Sequence, residues 1–237
     1  MSKSIKNQVF GLLGLLGGVF FMAGDCLLYV YPKRDTALNV DPVFSEMPVW
    51  RFTVSALLGV IGMGCMLFGT QSLYAMTKNV CGKKMQALAV IGIIGASGTA
   101  LAHFNLGSLL PLAYKSILNN GGSHELAEKA CSMLAGWVTP LDILLIVMLY
   151  VQFVVLSYMI LSGRANISRW YFFMGPVGAV TLGVVWKTIF NGSVISGAWG
   201  SCESLGEGLM YLTTMIYWKK QIQMTSDNCT LQKPKSE

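Results

Sequence analysis

Charged side chains are scarce in this chain of 237 residues: only 12% are Asp, Glu, Lys or Arg. A soluble domain carries about 25% of such residues. Hydrophobic residues make up 54%, and they form several runs of about 20 residues, the length that crosses the hydrocarbon core of a bilayer. The composition therefore excludes an ordinary soluble domain and predicts a membrane protein.

The signatures of several enzyme and metal-protein classes are missing as well. None of the six cysteines has CxxC or zinc-finger spacing, and neither HExxH, GxSxG, EExxxR nor the potassium-filter sequence occurs. We therefore predict no metal site and leave the cofactor unknown. Basic residues exceed acidic ones, 17 against 11, but they lie in the gaps between apolar runs. That placement is typical of a topology signal and argues against nucleic acid as a partner.

The apolar runs predict an all-α fold, a bundle of six transmembrane helices. An amphipathic helix beginning at His124 is predicted to lie in the membrane interface, with Ser123 as its cap and Pro140 as a kink before the fourth span. Together these form one domain over residues 1–220, whereas the polar residues 221–237 predict a disordered cytoplasmic tail. The spans are placed at about residues 9–31, 52–76, 85–111 or beyond, 141–161, 170–189 and 195–218.

The distribution of basic residues predicts the orientation of the chain. Six spans put both termini on one side, and most of the 17 basic residues then fall on that side. The positive-inside rule places this side in the cytoplasm of a plasma or inner membrane. The spans do not form two matching halves, which weakens the case for an inverted-repeat transporter.

Ionisable side chains inside the spans are the candidate functional residues. Glu203 and Glu207 are four residues apart, so on a helix they share one face. With Asp25 and His103 they lie in the outer halves of their predicted spans, and intramembrane ionisable residues are functional candidates by default. We predict that these four form an acid–base site in a pocket that opens to the extracytoplasmic side. The alternative for the glutamates is a structural contact between helices or a carboxylate at a wet interface, and for His103 it is a hydrogen bond between helices. For Asp25 the alternative is a partner for Arg51 or Lys187 at the membrane surface.

Four further polar residues are predicted as binding contacts near the same boundary: Asn105, Asp142, Arg51 and Lys187. Each also has a simpler interpretation. Asp142 follows Pro140 closely enough to cap a helix, and the two basic side chains could snorkel to the interface or pair with Asp25 there.

These motifs resemble the pattern of an uncharacterised bacterial family of multi-pass membrane proteins. The resemblance rests on Gly24-Asp25, on the segment from Ala102 to Gly107, on Pro140-Leu141-Asp142, and on Glu203 with Glu207. It covers nearly the whole chain, and it implies a multi-pass membrane fold but no known chemistry.

The predicted function is an integral membrane protein whose pocket binds a lipid-like or amphiphilic small molecule, or acts on it by acid–base chemistry. Its expected partners are membrane lipid and that small-molecule ligand. Two alternatives stay open: a proton- or ion-coupled transporter, and a non-catalytic membrane assembly protein in which the acids are structural. The sequence alone does not decide whether the protein is an enzyme.

Overall fold

A computed structural model describes residues 2–32, 42–191 and 193–231, with side chains up to residue 226. The described residues form α-helices and no strand, which confirms the all-α class. Short 3₁₀ turns cover Pro42–Ser45, Arg169–Met174 and Val194–Ser201, and a π turn at Asn105–Leu109 joins α3 to α4. The helices are α1 (Lys3–Tyr29), α2 (Val49–Val80), α3 (Lys83–Phe104), α4 (Leu110–Asn119), α5 (His124–Leu161), α6 (Pro176–Ile189) and α7 (Cys202–Leu231).

Four helical segments of the described chain are long and apolar enough to cross a membrane: α1, α2, the continuous α3–α4 segment and α5. The predicted count of six spans is therefore not confirmed. The predicted fifth span, 170–189, is interrupted, because Arg169–Met174 forms a 3₁₀ turn and Pro176 begins α6 instead of lying inside a helix. Gly175 before it is extended, as expected of a residue preceding proline. The 14 residues of α6 extend only about 21 Å.

The interfacial helix and the fourth span, predicted as two elements with a kink at Pro140, are not separate. Residues His124–Leu161 form one helix with Pro140 inside it. The Ser123 hydroxyl accepts a hydrogen bond from the Leu126 amide at 3.1 Å, as a helix cap does. At 38 residues the helix is about 57 Å long, well beyond the roughly 30 Å of bilayer hydrocarbon. Its first part packs on α4, since Ala127 and Cys131 are buried in the same cluster as α4 residues, and this packing stabilises the helix despite the proline.

The C-terminal helix begins later than predicted. Val194–Ser201 is a 3₁₀ turn and α7 starts at Cys202, so Glu203 lies in the first turn of a helix and not in the middle of a span. The helix continues to Leu231, inside the segment predicted as a tail. Residues 232–237 of that segment lie outside the described part of the chain.

Glycines allow α1 to pack closely between α2 and α7. A Cβ added at Gly14 would lie 2.7 Å from the Cα of Gly69 and would also meet the ring of Tyr211. Gly18 lies against the backbone of Gly208, whereas Gly11, one helical turn earlier than Gly14, faces residues 214 and 215. Contacts further along α7 are therefore made by residues closer to the start of α1. The two helices are antiparallel, and the start of α1 lies beside the later part of α7.

Two clusters of buried apolar side chains lie at different levels of the bundle. One contains Phe21 and side chains from α2, α5 and α7. The other contains Leu28 with the 3₁₀ turn Pro42–Ser45, the start of α2, α4 and the start of α5. Phe21 and Leu28 are two turns apart on α1, so the region between the clusters lies next to Asp25.

Candidate functional site

A cavity of about 120 Å³ lies between the two apolar clusters, and it is partly open. Residues of α1, α3, the π turn, α5 and α7 line it. Its polar side chains include all four residues that the sequence predicts as the acid–base site. The polar side chains in the lining include Asp25, Thr99, His103, Glu203, Ser204 and Glu207.

Asp25 and His103 form a buried pair at the wall of this cavity. Nδ1 of His103 lies 3.3 Å from Oδ1 of Asp25, and the hydroxyl of Ser204 donates to Oδ2 of the same carboxyl at 2.5 Å. The His103 ring packs on the ring of Phe21, with 4.7 Å between centroids. Helices α1, α3 and α7 therefore meet through one carboxyl group.

The second nitrogen of the imidazole determines the charge of this pair. Nε2 lies 3.1 Å from the carbonyl oxygen of Ser55, which can only accept, so we assign the hydrogen to Nε2. Nδ1 and Oδ1 then need one proton between them, carried either by the ring or by the carboxyl. In both arrangements the Asp25–His103 pair is neutral as a whole. Because both ring nitrogens have partners, His103 orients Asp25 and has no free nitrogen directed at the cavity.

Glu203 is held by a residue that the sequence analysis did not identify. The hydroxyl of Tyr150 on α5 donates a short hydrogen bond to Oε1 of Glu203. Tyr150 lies in an unbroken apolar run, where nothing in the sequence distinguishes it from a lipid-facing tyrosine. Ser204 was also missed, although it is three residues before Glu207 and hence on the same helical face.

Glu207 is the least satisfied side chain of the site. It is only 3% exposed, and its Oε2 has no hydrogen-bond partner within the described structure. Burying an ionised carboxylate without a partner costs several kcal/mol. The group is therefore stable only with a proton of its own, or with a donor or cation that enters the cavity beside it.

The predicted binding residues Asn105 and Asp142 contact each other and do not line the cavity. The amide of Asn105 donates to Oδ1 of Asp142 at 3.2 Å. Asp142 is 1% exposed in the interior of α5, so the alternative interpretation of this residue as a helix cap does not hold. Asn105 begins the π turn, and π turns inside α-helices are frequent at functional sites.

Arg51 and Lys187 are not brought to the cavity either. Arg51 donates to the carbonyl oxygens of Leu27 and Val30, each at 2.7 Å, and so binds the end of α1. The ammonium of Lys187 lies 4.9 Å from the ring centroid of Trp199. In the residues that the structure describes, no group of three or more His, Cys, Asp or Glu side chains could hold a metal ion.

Residues 1–221 match the model of a family described as a family of unknown function, DUF6796. The chain belongs to this family. No curated protein and no solved structure matches it. The predicted resemblance to an uncharacterised family is thereby confirmed, although a bacterial origin is not shown.

Proposed function

We propose that this chain is an integral membrane protein whose cavity binds the polar end of an amphiphilic small molecule and acts on it by acid–base chemistry. The observation that carries the proposal is the meeting of Glu203, Glu207 and the Asp25–His103 pair around one cavity, with Oε2 of Glu207 unpartnered. Two carboxyl groups in different surroundings can take different roles, one as acid and one as base.

The surroundings of the two glutamates suggest which role each takes. Glu207 has no partner, so it gains most from exchanging a proton with a bound ligand. Glu203 accepts from Tyr150, which stabilises its ionised form and favours it as the acceptor. The Asp25–His103 pair, held by Ser55 and Ser204, forms another part of the cavity wall.

The remaining lining favours an amphiphile. The apolar side chains that line the cavity beside the polar groups include Phe21, Leu28, Leu106, Ile146 and Leu149. The volume of about 120 Å³ is well below the roughly 300–1,000 Å³ of pockets that enclose a drug-sized ligand. A polar head fits this space, and an attached chain would leave through the open side along the apolar wall.

The orientation in the membrane is part of the proposal. We place both termini in the cytoplasm, with α1, α2, α3–α4 and α5 as spans and α6 and α7 completing a multi-pass bundle. The antiparallel packing of α1 and α7 supports termini at one end. Lysines at positions 3, 6, 78, 83, 84, 219 and 220 lie at that end, as the positive-inside rule requires. The cavity, beside the second half of α1, would then open to the extracytoplasmic side.

The test uses proteoliposomes that contain the full chain and an extract of total membrane lipids. Mass spectrometry before and after incubation should show at least one amphiphile consumed by the wild type. Glu207→Gln should abolish that change, and Glu128→Gln, a matched substitution on the exposed surface, should retain it. Conversion by Glu207→Gln at the wild-type rate, or no conversion by the wild type, would contradict the proposal.

One observation favours proton-coupled transport as a second candidate. Polar side chains continue from the cavity along the buried face of α7, because Tyr211 and Thr214 follow Glu207 at helical spacing. The Ser72 hydroxyl donates to Thr214 at 3.1 Å and lies 2.8 Å from the carbonyl oxygen of Asn7, near the opposite end of the bundle. A pH gradient that dissipates faster across proteoliposomes with the wild type than with Tyr211→Phe would support this candidate, and equal rates would remove it.

A further inference from the structure

We infer that the cavity selects an amphiphile whose head is a protonated amine. This inference rests on the proposed function, because it names the ligand of the same cavity. It follows from the acidic groups of the lining, which have no basic counterpart, from the unpartnered oxygen of Glu207 and from the two aromatic side chains at the wall.

The lining contains acidic groups that no basic side chain compensates. The Asp25–His103 pair is neutral as a whole, as its hydrogen bonds require. Glu203 and Glu207 remain, and no Lys or Arg occurs among the side chains that line the cavity in the described structure. A phosphate or carboxylate head would therefore meet two acidic groups and no cation, whereas an ammonium head would neutralise one of them.

The hydrogen-bond inventory leads to the same ligand. Oε2 of Glu207 is buried and has no donor, and Oε1 of Glu203 has its donor in Tyr150. A carboxylate only accepts, and an ammonium group only donates, with up to three hydrogens. An amine head would satisfy Glu207 and still have hydrogens for Glu203 or Asp25. A neutral hydroxyl could supply a single hydrogen and no charge.

Aromatic rings and size complete the match. Phe21 and Tyr29 line the cavity, and ring faces attract cations by about 0.5–2 kcal/mol, which adds to the preference over an anion. The volume of about 120 Å³ has room for an ammonium head with its first methylene groups. The remainder of the chain would lie against Leu106 and Ile146.

The test compares three probes of equal chain length: hexylamine, hexanol and hexanoate. Each is titrated calorimetrically at pH 7 into the full-length protein in a neutral maltoside detergent. Because charge-assisted hydrogen bonds are the strong ones, hexylamine should bind about ten- to a hundred-fold more tightly than the other two. Glu207→Gln should lose that advantage, whereas Glu128→Gln should bind hexylamine as the wild type does. If Glu207→Gln does not fold, as judged by size-exclusion chromatography, Glu203→Gln takes its place.

The outcomes separate this inference from the proposed function. The amine inference would be overturned if hexanol or hexanoate bound as tightly as hexylamine. Full hexylamine affinity in Glu207→Gln, or in Glu203→Gln where it takes its place, would overturn it as well. If the probe that binds in that case no longer bound to Leu106→Trp, in which the larger side chain fills the cavity, the proposed amphiphile site would stand with a different head group. Failure of all three probes to bind would overturn both.

Discussion

Gly59 is the residue that allows His103 to reach its partner on α2. It follows Ser55 by one helical turn and faces α3, and a Cβ added there would lie 2.8 Å from Nε2 of His103. The imidazole would have to move away from the Ser55 carbonyl, and Asp25 would lose the group that orients it.

We therefore expect Gly59→Ala to destabilise the protein by about 1–3 kcal/mol, as overpacking does, and to weaken hexylamine binding. Gly64→Ala on the same helix is the matched control, because its added Cβ meets no atom within 4 Å. Alanine is the better helix former by about 0.5–1 kcal/mol, so the control should be neutral or slightly stabilising. Thermal unfolding in detergent measures both variants, and equal stability of the two would contradict this account of Gly59.

Individual polar residues were predictable from sequence only where charge made them conspicuous. Asp25, His103, Glu203 and Glu207 stand out because ionisable groups in apolar runs are costly and need a reason. Tyr150, Ser55 and Ser204 carry no charge, and hydroxyl groups occur throughout such helices. Their roles depend on which helix faces them, which a single sequence does not contain. Asn105 and Asp142 were both noticed, but as separate contacts instead of a pair.

At the scale of elements, the contact between α3 and α5 forms one side of the site. A Cβ added at Gly95 would lie 2.8 Å from the carbonyl oxygen of Leu145 and would meet the backbone at residues 148 and 149. Thr99 and His103 follow on α3, and Ile146 and Leu149 line the cavity from α5. Any separation of these two helices therefore widens the cavity.

Gly95→Ala should accordingly destabilise the protein by about 1–3 kcal/mol and reduce hexylamine affinity, although residue 95 does not line the cavity. Gly136→Ala on α5, where an added Cβ meets nothing within 4 Å, is the control; it should leave hexylamine affinity unchanged and the stability unchanged or slightly higher. Differential scanning fluorimetry and calorimetric titration give the two readouts. A Gly95→Ala variant indistinguishable from Gly136→Ala would show that this close approach is unimportant.

The two prolines explain why the element boundaries were only partly predictable. Pro176 was placed inside a span, yet it starts α6, where its missing N–H would have no helical acceptor in any case. Pro140 was predicted as a kink between an interfacial helix and the fourth span, yet α5 continues through it as one helix. A proline inside a helix costs about 3 kcal/mol, because it removes one hydrogen bond and its ring clashes with the carbonyl one turn earlier. Packing of the first part of α5 on α4 outweighs this cost. That packing is tertiary, so local sequence rules do not report it.

At the scale of the whole molecule, membrane orientation is the main prediction still to be tested. In the proposed topology the turn between α4 and α5, at residues 120–123, is extracytoplasmic, and both termini are cytoplasmic. An epitope inserted at Gly121 should be accessible to antibody on intact cells, and an epitope at either terminus only after permeabilisation. Gly121 has a positive φ of 83° and open space around it, so an insertion there should be tolerated. Surface labelling of a terminal epitope would contradict the orientation.

The all-α class was predictable because composition and run length alone determine it. The number of spans was less predictable from the sequence, because the apolar runs were counted without regard to helix breaks. Residues 170–189 are apolar enough for a span, but a 3₁₀ turn and the start of α6 divide them. In α7 the two glutamates and the lysines at 219 and 220 reduce the hydropathy, and α7 is not among the candidate spans.

The central claim is that side chains from α1, α3 and α7 share one ligand-binding cavity, and a crystallographic measurement tests it most directly. Crystals grown with hexylamine carrying bromine at the chain end would locate the probe by anomalous scattering. We predict a bromine peak beside Leu106 and Ile146, with the amine next to Glu207. A peak only on the outer faces of the helices, with the carboxyl groups of Glu203 and Glu207 contacting no ligand, would contradict the account.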